Sequence, residues 1–176
     1  RAFVANVKIY EEGADVPTIF GDRIMYSMPN RFDTFPSFNY IDVVKGDAED
    51  YVKLESYADR LLAFKQKSVQ VINVSSPSDS NWFLETDVKH NGVKNPGAVF
   101  RTELGICWVN DNGCYIYDGS KIVNIIDNKI DDSTWASFIN DTSIVGYEKR
   151  KKQIIVVKNE DGAATNTGNA YIYDIK

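Results

Sequence analysis

Short runs of aromatic and β-branched residues, each bounded by Asn, Asp, Gly or Ser, recur along the whole chain. Such runs are typical of β-strands, because these side chains pack well on a pleated and half-buried surface. Thirteen strands are predicted on this basis: 3–10, 23–27, 41–44, 60–64, 69–74, 82–85, 98–101, 105–109, 114–117, 121–126, 144–148, 153–158 and 170–175. The chain is therefore predicted to be all-β.

One segment, 132–140, has helical spacing instead. Its apolar residues Trp135, Phe138 and Ile139 stand at i, i+3 and i+4, and Asp132 or Ser133 could cap the first turn. This pattern predicts one short helix of about two turns near 132–140. We expect it to act as a lid or spacer between β units.

The strand–turn–strand units recur at nearly constant intervals. Their second strands start near 23, 68, 114 and 153, in steps of 45, 46 and 39 residues. A four-stranded propeller blade takes about 40–45 residues, and blades bury both faces by stacking on one another. The spacing predicts four β-propeller-like units of antiparallel strands within a single domain, 1–176, as a complete small ring or as part of a larger one. The alternative is a two-sheet sandwich of about seven to nine strands.

Size and termini bear on how this domain is built. The chain has 176 residues, 43% of them apolar, which is enough for a core without disulfide or metal staples. No apolar run approaches the roughly 18 residues of a membrane span, so a soluble protein is predicted. Because Arg1 lies within an apparent strand and Lys176 directly follows another, we expect a fragment of a longer polypeptide.

The charge balance is acidic, with 20 Lys and Arg against 25 Asp and Glu and a net charge of −5. This balance argues against an autonomous binder of nucleic acid or of anionic membranes. One basic run, Lys149–Lys152, lies at a predicted hairpin tip. Two interpretations remain open for it: sequence-independent contacts with phosphate groups, or a soluble turn that discourages edge pairing.

The two cysteines, Cys107 and Cys114, flank an Asn112-Gly113 pair, which is a strong hairpin signal. If that pair forms the two-residue loop, Asp111 lies opposite Cys114 and Cys107 lies opposite Asp118. The sulfurs would then be several rungs apart. Two free thiols are expected.

Candidate catalytic and metal-binding residues are sparse. A nucleophilic site would have to combine His90 with one of the two cysteines, and a solvated loop histidine is the simpler interpretation. The cysteine and histidine spacing matches no structural zinc site. Carboxylates cluster at 47–50, 131–132 and 160–161, and the tip 110–113 resembles half of a calcium loop, but no complete calcium or nucleotide motif is present.

A carbohydrate-active interpretation has one weak signal. The segment Ser78-Asp79-Ser80-Asn81-Trp82 partly matches the turn motif of sialidase-like propellers, without its Gly and Thr. Such an enzyme would need an arginine clamp, but the arginines are scattered, at positions 1, 23, 31, 60, 101 and 150. Aromatic residues could serve a binding face, although in an all-β chain they first serve the core.

The part of the chain from Tyr26 to Gly119 resembles a recurring module of bacteriophage structural proteins. The residues that carry the resemblance are 26–29 (Tyr-Ser-Met-Pro), Phe35, Pro36, Asn39, Ile41, Val43, Gly46, Asp47, Leu54, Tyr57, Asp59, 61–65 (Leu-Leu-Ala-Phe-Lys), 67–69 (Lys-Ser-Val), 105–110 (Gly-Ile-Cys-Trp-Val-Asn) and 113–119 (Gly-Cys-Tyr-Ile-Tyr-Asp-Gly). They are similar to the β-propeller proteins of the phage tail, of the tail-nozzle, tail-hub and DNA-stabilisation kind.

The resemblance implies a non-enzymatic virion component, made in the host cytoplasm and located in the tail around the path of the genome. Its expected partners are copies of itself in a ring and neighbouring tail proteins, with passive contact with genomic DNA and none with membranes. The resemblance supplies no catalytic, cofactor-binding or metal-binding residues. Two alternatives stay open: a carbohydrate-binding or glycosidase-type propeller, and a propeller scaffold for protein interactions.

Overall fold

The computed structural model describes residues 1–42, 49–158 and 170–175. These ranges contain fourteen strands in four antiparallel sheets, and one α-helix. Strands that are neighbours in sequence are neighbours in each sheet, so every sheet is a simple meander. The predicted all-β class is confirmed, and the strands form four sheets rather than the two of a sandwich.

The sheets follow one another along the chain. Sheet 1 contains β1 (Phe3–Ile9), β2 (Thr18–Tyr26) and β3 (Tyr40–Ile41). Sheet 2 contains β4 (Lys53–Tyr57), β5 (Arg60–Phe64), β6 (Ser68–Asn73) and β7 (Phe83–Lys89). Sheet 3 contains β8 (Val99–Arg101), β9 (Ile106–Asn110), β10 (Gly113–Tyr117) and β11 (Ile122–Asn124). Sheet 4 contains β12 (Ile144–Glu148), β13 (Gln153–Val157) and β14 (Ala170–Asp174). The helix α1 (Asp132–Phe138) lies between β11 and β12 in the chain.

Each of the thirteen predicted strands overlaps an observed one, although Val43 and Val44 of the third prediction lie outside the described residues. The prediction missed β4, whose sequence Lys-Leu-Glu-Ser-Tyr is too polar to be recognised. β4 is an edge strand, so it can carry the ion pair between Lys53 and Glu55 (3.3 Å) on its surface. Because β4 and β8 come first in their sheets, the strands at Ser68 and Gly113 are third rather than second.

The chain divides into two compact units, Arg1–Asp87 and Val88–Lys176, and the boundary falls within β7. The single domain predicted over 1–176 stays a prediction. Sheets 1 and 2 belong to the first unit, apart from the last residues of β7. Sheets 3 and 4 and α1 belong to the second unit.

The core of the first unit lies between sheets 1 and 2. Ile24 from sheet 1 packs with Leu61, Ala63 and Ile72 from sheet 2, and Tyr51 joins them from the segment before β4. Burying one Leu or Ile side chain contributes about 1.5–3 kcal/mol to folding. This cluster is therefore what holds the two sheets face to face.

The middle strands of sheets 2 and 3 are buried on both faces. In β5, Leu61 and Ala63 belong to the core cluster, and Leu62 and Phe64, which alternate with them, are also fully buried. In β9, all four residues of 106–109 are buried. Because successive side chains of a strand point to opposite faces, neither face of these strands is solvated.

In the second unit, α1 packs aromatic side chains against sheet 4 and donates a hydrogen bond to sheet 3. The ring centroid of Trp135 lies 5.9 Å from that of Tyr171 in β14, and Phe138 meets Tyr171 edge-on at 4.6 Å. The Trp135 Nε1–H group donates a hydrogen bond to the Asn110 carbonyl oxygen at 2.8 Å. The helix thus joins the tip of the β9–β10 hairpin to sheet 4. In the described ranges, no helix is long and apolar enough to cross a membrane.

The predicted helix is confirmed over most of its length, but its N-cap is Asp131, not Asp132 or Ser133. The Asp131 carboxylate accepts a hydrogen bond from the Thr134 backbone N–H at 3.1 Å. Asp131 has extended backbone geometry, as a cap requires, and the helix ends at Phe138 rather than 140.

The turn between β9 and β10 consists of Asp111 and Asn112, not of Asn112 and Gly113. Asn110 and Gly113 form the last pair of the hairpin. Gly113 lies inside the strand, where a Cβ atom would be 2.6 Å from Nδ2 of the Asn124 side chain, which would have to move aside. The Asn-Gly pair is thus divided between the turn and β10, and the register moves by one residue.

Candidate functional site

The outer face of sheet 4 is apolar and partly exposed. We use this name for the face formed by Ile144, Gly146, Glu148, Gln153, Ile155, Val157, Ala170, Ile172 and Asp174, which the strand register places side by side. Ile172 is 62% exposed and Ile144 is 40% exposed. A shallow groove of about 240 Å³ runs along β12 and β13 on this face. The continuous apolar run of β13 was the signal that could have predicted it, because such a run has apolar side chains on both faces.

The basic run Lys149–Lys152 forms the whole turn between β12 and β13, as predicted, because Glu148 and Gln153 are the last pair of the hairpin. All four residues are exposed, and the Lys149 side chain is 80% exposed. The turn is held in place on both sides. The Ile175 N–H donates to the Lys152 carbonyl oxygen at 2.9 Å, and the Arg150 N–H donates to the Glu148 carboxylate at 3.0 Å.

Two other turns lie at the same end of the second unit. The turn 102–105 joins β8 to β9, and the turn 118–121 joins β10 to β11. Because neighbouring strands are antiparallel, both turns lie at the end of sheet 3 away from the 111–112 tip. Glu103 links this end to the basic turn. Its carboxylate accepts a hydrogen bond from the Tyr147 hydroxyl at 3.2 Å and lies 3.6 Å from Lys149 Nζ.

The two thiols are adjacent, which corrects the predicted separation of several rungs. The register pairs Cys107 with Ile116 and Cys114 with Val109, so the cysteines are diagonal neighbours on one face, with their sulfurs 3.9 Å apart. Both are free and buried, as expected. The hydrogen bond with Cys114, together with burial, raises the pKa of Cys107 well above its usual value. A protonated, buried thiol is a poor nucleophile.

His90 and the 110–113 tip, considered separately in the sequence, come together in the structure. The Asn110 side chain donates to the backbone carbonyl oxygens of His90 (3.0 Å) and Gly92 (2.9 Å), and the Asn112 side chain also donates to His90 (2.9 Å). These bonds use backbone oxygens of the loop and fix its shape. The two thiols hydrogen-bond to each other and not to the His90 ring.

The carboxylate clusters serve separate local roles. Asp131 caps α1, and Asp111 lies 3.4 Å from Lys94, which also pairs with Asp141 at 2.6 Å. These two carboxylates raise the pKa of Lys94, and the largest cause is the hydrogen bond that Lys94 donates to Asp141. Within the described residues, no three His, Cys, Asp or Glu side chains are placed to hold a metal ion. Asp47, Glu160 and Asp161 lie outside the described residues.

The segment proposed as a sialidase-like turn packs as part of the first unit. Trp82 lies against Tyr26 and Phe3, with ring centroids 4.9 and 5.6 Å away, and Trp82 Nε1 donates to the Ser76 carbonyl oxygen. The guanidinium of Arg1 lies over the Tyr26 and Trp82 rings at 5.0 and 5.3 Å. The tryptophan is therefore part of a packed aromatic cluster.

Two arginines of the first unit form separate structural contacts. Arg23 is stacked between the Phe20 and Tyr40 rings and makes a two-point contact with Asp42, while Arg60 pairs with Glu85 at 2.8 Å. An arginine clamp requires several guanidinium groups around one carboxylate. These arginines instead each pair with a different carboxylate.

The described part of the chain thus belongs to the class of all-β proteins built from consecutive antiparallel meanders. Compared with known protein families, the chain matches none. It is similar to the sporulation-delaying protein SdpA of Bacillus subtilis (strain 168), with 30% identity over 122 residues. The matched part is 68% of this chain and 65% of SdpA, so the chain spans less than two thirds of that relative's length.

Proposed function

We propose that this chain is a non-enzymatic structural part of a bacteriophage tail, built from propeller-like units, in the nozzle or hub around the exit path of the genome. The proposal assigns it no catalytic, cofactor-binding or metal-binding residues. The observation that carries it is the series of meander sheets, of which sheets 2 and 3 have middle strands that are buried on both faces. Its phage assignment rests on the resemblance of Tyr26–Gly119 to tail propeller proteins.

The burial of β5 and β9 on both faces supports the propeller part of the proposal. In a sandwich each sheet has one face toward the core and one toward solvent, so buried and exposed residues alternate. In a propeller every interior blade has a neighbour on both faces. Leu62 and Phe64 on one face of β5, and Leu61 and Ala63 on the other, follow the second pattern.

The outer face of sheet 4 supports assembly with further copies of the chain. Ile144 and Ile172 remain exposed on a face whose counterparts in sheets 2 and 3 are buried. An added Cβ at Gly146 would meet nothing within 4 Å, so the space above the sheet is open. We therefore expect copies to pack side by side into a ring, with neighbouring tail proteins next to it.

Analysis of intact particles tests this function. Phage particles encoding the chain are purified on a density gradient and examined by quantitative mass spectrometry, and by electron microscopy for density that fits the four sheets. We expect the chain to co-purify in a fixed ratio to the major capsid protein. A host cytoplasmic protein serves as the negative control. Recovery of the chain only in the host lysate, or specific binding and hydrolysis of glycans, would contradict the proposal.

A second candidate is a role in delaying sporulation, and its support is the similarity to SdpA. Expression of the chain in a sporulating Bacillus strain, followed by counts of heat-resistant spores over time, tests it. A delay relative to a strain carrying the empty vector would favour this candidate. Unchanged spore counts, together with presence in particles, would favour the tail protein.

A further inference from the structure

We propose that the turn Lys149–Lys152 is a contact site for the phosphodiester backbone of double-stranded DNA. This inference rests on the proposed function, because it takes the genome inside the tail as the polyanion. It goes further by naming the residues that touch the DNA. It also predicts that contact is local on a chain whose net charge of −5 repels DNA overall.

The turn has more positive charges than the described residues pair with carboxylates. Lys149 lies near Glu103, but Arg150, Lys151 and Lys152 make no ion pair with any described residue. Among the residues that the structure describes, Glu103, Glu148 and Asp174 are the carboxylates that contact the turn or the strand residues beside it, and Asp174 accepts a hydrogen bond from Gln153. Three cations therefore project into solvent without a partner among the described residues.

The backbone conformation of the turn does not require these residues either. Lys152 has φ = +53°, a region that Asn, Asp and Gly adopt at lower cost than Lys. The three cations without an ion pair to a described residue, Arg150, Lys151 and Lys152, repel one another. A polyanion nearby turns this repulsion into attraction.

The turn is ordered before any ligand binds. Hydrogen bonds from the Ile175 N–H to Lys152 and from the Arg150 N–H to Glu148 hold its backbone. One DNA strand presents a phosphate for every 3.4 Å or so of helix axis, and the long side chains of Lys and Arg can reach different phosphates from one turn. A short row of ordered cations can therefore meet neighbouring phosphates without first paying the entropy of ordering a loop.

Fluorescence anisotropy with a labelled duplex of about 30 base pairs tests the site, using the full chain between 20 and 200 mM NaCl. The contact of three cations predicts a slope of log K against log salt near −3, since each neutralised phosphate contributes about −0.9. In the triple variant Arg150→Ser, Lys151→Ser, Lys152→Asn we expect at least about tenfold weaker binding at 50 mM NaCl and a slope near zero. Asn at position 152 keeps the positive φ accessible.

A matched control separates position from net charge. The variant Lys8→Ser, Arg31→Ser, Lys67→Ser also removes two Lys and one Arg, all exposed and all in the first unit. It should bind DNA like the unchanged chain. Equal losses in both triple variants would mean that only net charge matters and would overturn the proposal. Thermal unfolding confirms that each variant is folded, and the single variant Lys151→Glu replaces the triple variant if that one is not.

Further outcomes are also decisive. No binding of the unchanged chain at 20 mM NaCl overturns the proposal, and so does binding to vesicles containing phosphatidylserine without binding to DNA. The particle analysis is independent of this assay. If the chain is present in particles but does not bind DNA, the DNA site is excluded and the tail function is supported. If the chain binds DNA but is absent from particles, the tail function is excluded.

Discussion

At the scale of single residues, Gly105 occupies a position that no other residue fits. Its φ is +147°, and a Cβ atom there would lie 2.0 Å from the backbone carbonyl oxygen of Tyr117. This contact is with backbone, so no side chain can move aside to relieve it. Gly105 therefore lets the 102–105 turn lie close against the end of β10.

We expect Gly105→Ala to lower the free energy of unfolding by at least about 2 kcal/mol, because it combines an unfavourable φ with a backbone collision. Gly146→Ala is the matched control, since its φ is ordinary and an added Cβ meets nothing within 4 Å. It should be neutral or stabilise by up to about 1 kcal/mol. Urea unfolding measures both, and similar losses in the two variants would contradict the expectation.

The carboxyl group of Asp118 has a lowered pKa in the folded chain. Hydrogen bonds from the backbone N–H groups of Lys121 and Ser120, and from the Ser120 hydroxyl, lower its pKa from 3.8 to about 2. Because the folded pKa is below the unfolded one, the carboxylate stabilises the turn above about pH 4. That contribution is lost as the pH falls toward 2.

Carboxyl-detected NMR titration should give a pKa for Asp118 near 2. The difference in unfolding midpoint between the unchanged chain and Asp118→Asn should shrink between pH 4 and pH 2. A difference that stays constant over this range would show that the charged form is not what stabilises the turn.

At the scale of elements, α1 depends on a cap, Asp131, that precedes both predicted caps, Asp132 and Ser133. Three groups lie around the Asp131 carboxylate: the backbone N–H of Thr134 and the hydroxyls of Thr134 and Ser133. These bonds lower the pKa of Asp131, with the Ser133 hydroxyl as the largest cause. The helix in turn carries Trp135 into the core, so the cap helps to position a buried side chain.

We expect Asp131→Ala to cost about 1 kcal/mol of stability, because the first turn loses its capping acceptor. Asp132→Ala, which removes the neighbouring carboxylate without removing the cap, should change stability by less than about 0.5 kcal/mol. Thermal unfolding of both variants measures the difference. A larger loss for Asp132→Ala would mean that Asp132, one of the two predicted caps, stabilises the helix more than Asp131.

At the scale of the whole molecule, the proposed ring requires a surface through which one copy joins the next. The outer face of sheet 4 combines exposed Ile144 and Ile172 with an open glycine position, Gly146. The buried faces of sheets 2 and 3 have similar aliphatic side chains. The outer face of sheet 4 therefore has the composition of a buried sheet face, although it is partly exposed.

We expect Ile172→Asp to leave the stability of the isolated chain within about 0.5 kcal/mol, because the residue is largely exposed. The same change should abolish self-association in sedimentation velocity measurements. Val123→Asp, at a 38% exposed position on β11, is the matched control and should associate like the unchanged chain. Loss of association in both variants, or in neither, would exclude this face as the joining surface.

The sequence by itself determined the strands and the all-β class, because aromatic and β-branched runs between turn residues favour strand structure locally. It also indicated the short helix around Trp135 and the exposed turn Lys149–Lys152. These features depend on neighbours in sequence, so a local pattern is enough to predict them. β4 was not predicted, because an edge strand needs few apolar residues.

Only the tertiary structure decided the details that depend on distant contacts. The register of the β9–β10 hairpin places Gly113 inside a strand, opposite Asn110, and brings Cys107 and Cys114 together. Meanwhile the turn Ala58–Asp59 has positive φ at both residues, without the Asn-Gly pair that usually marks such a turn. Register follows from which side chains meet across strands, and no local run of residues contains that information.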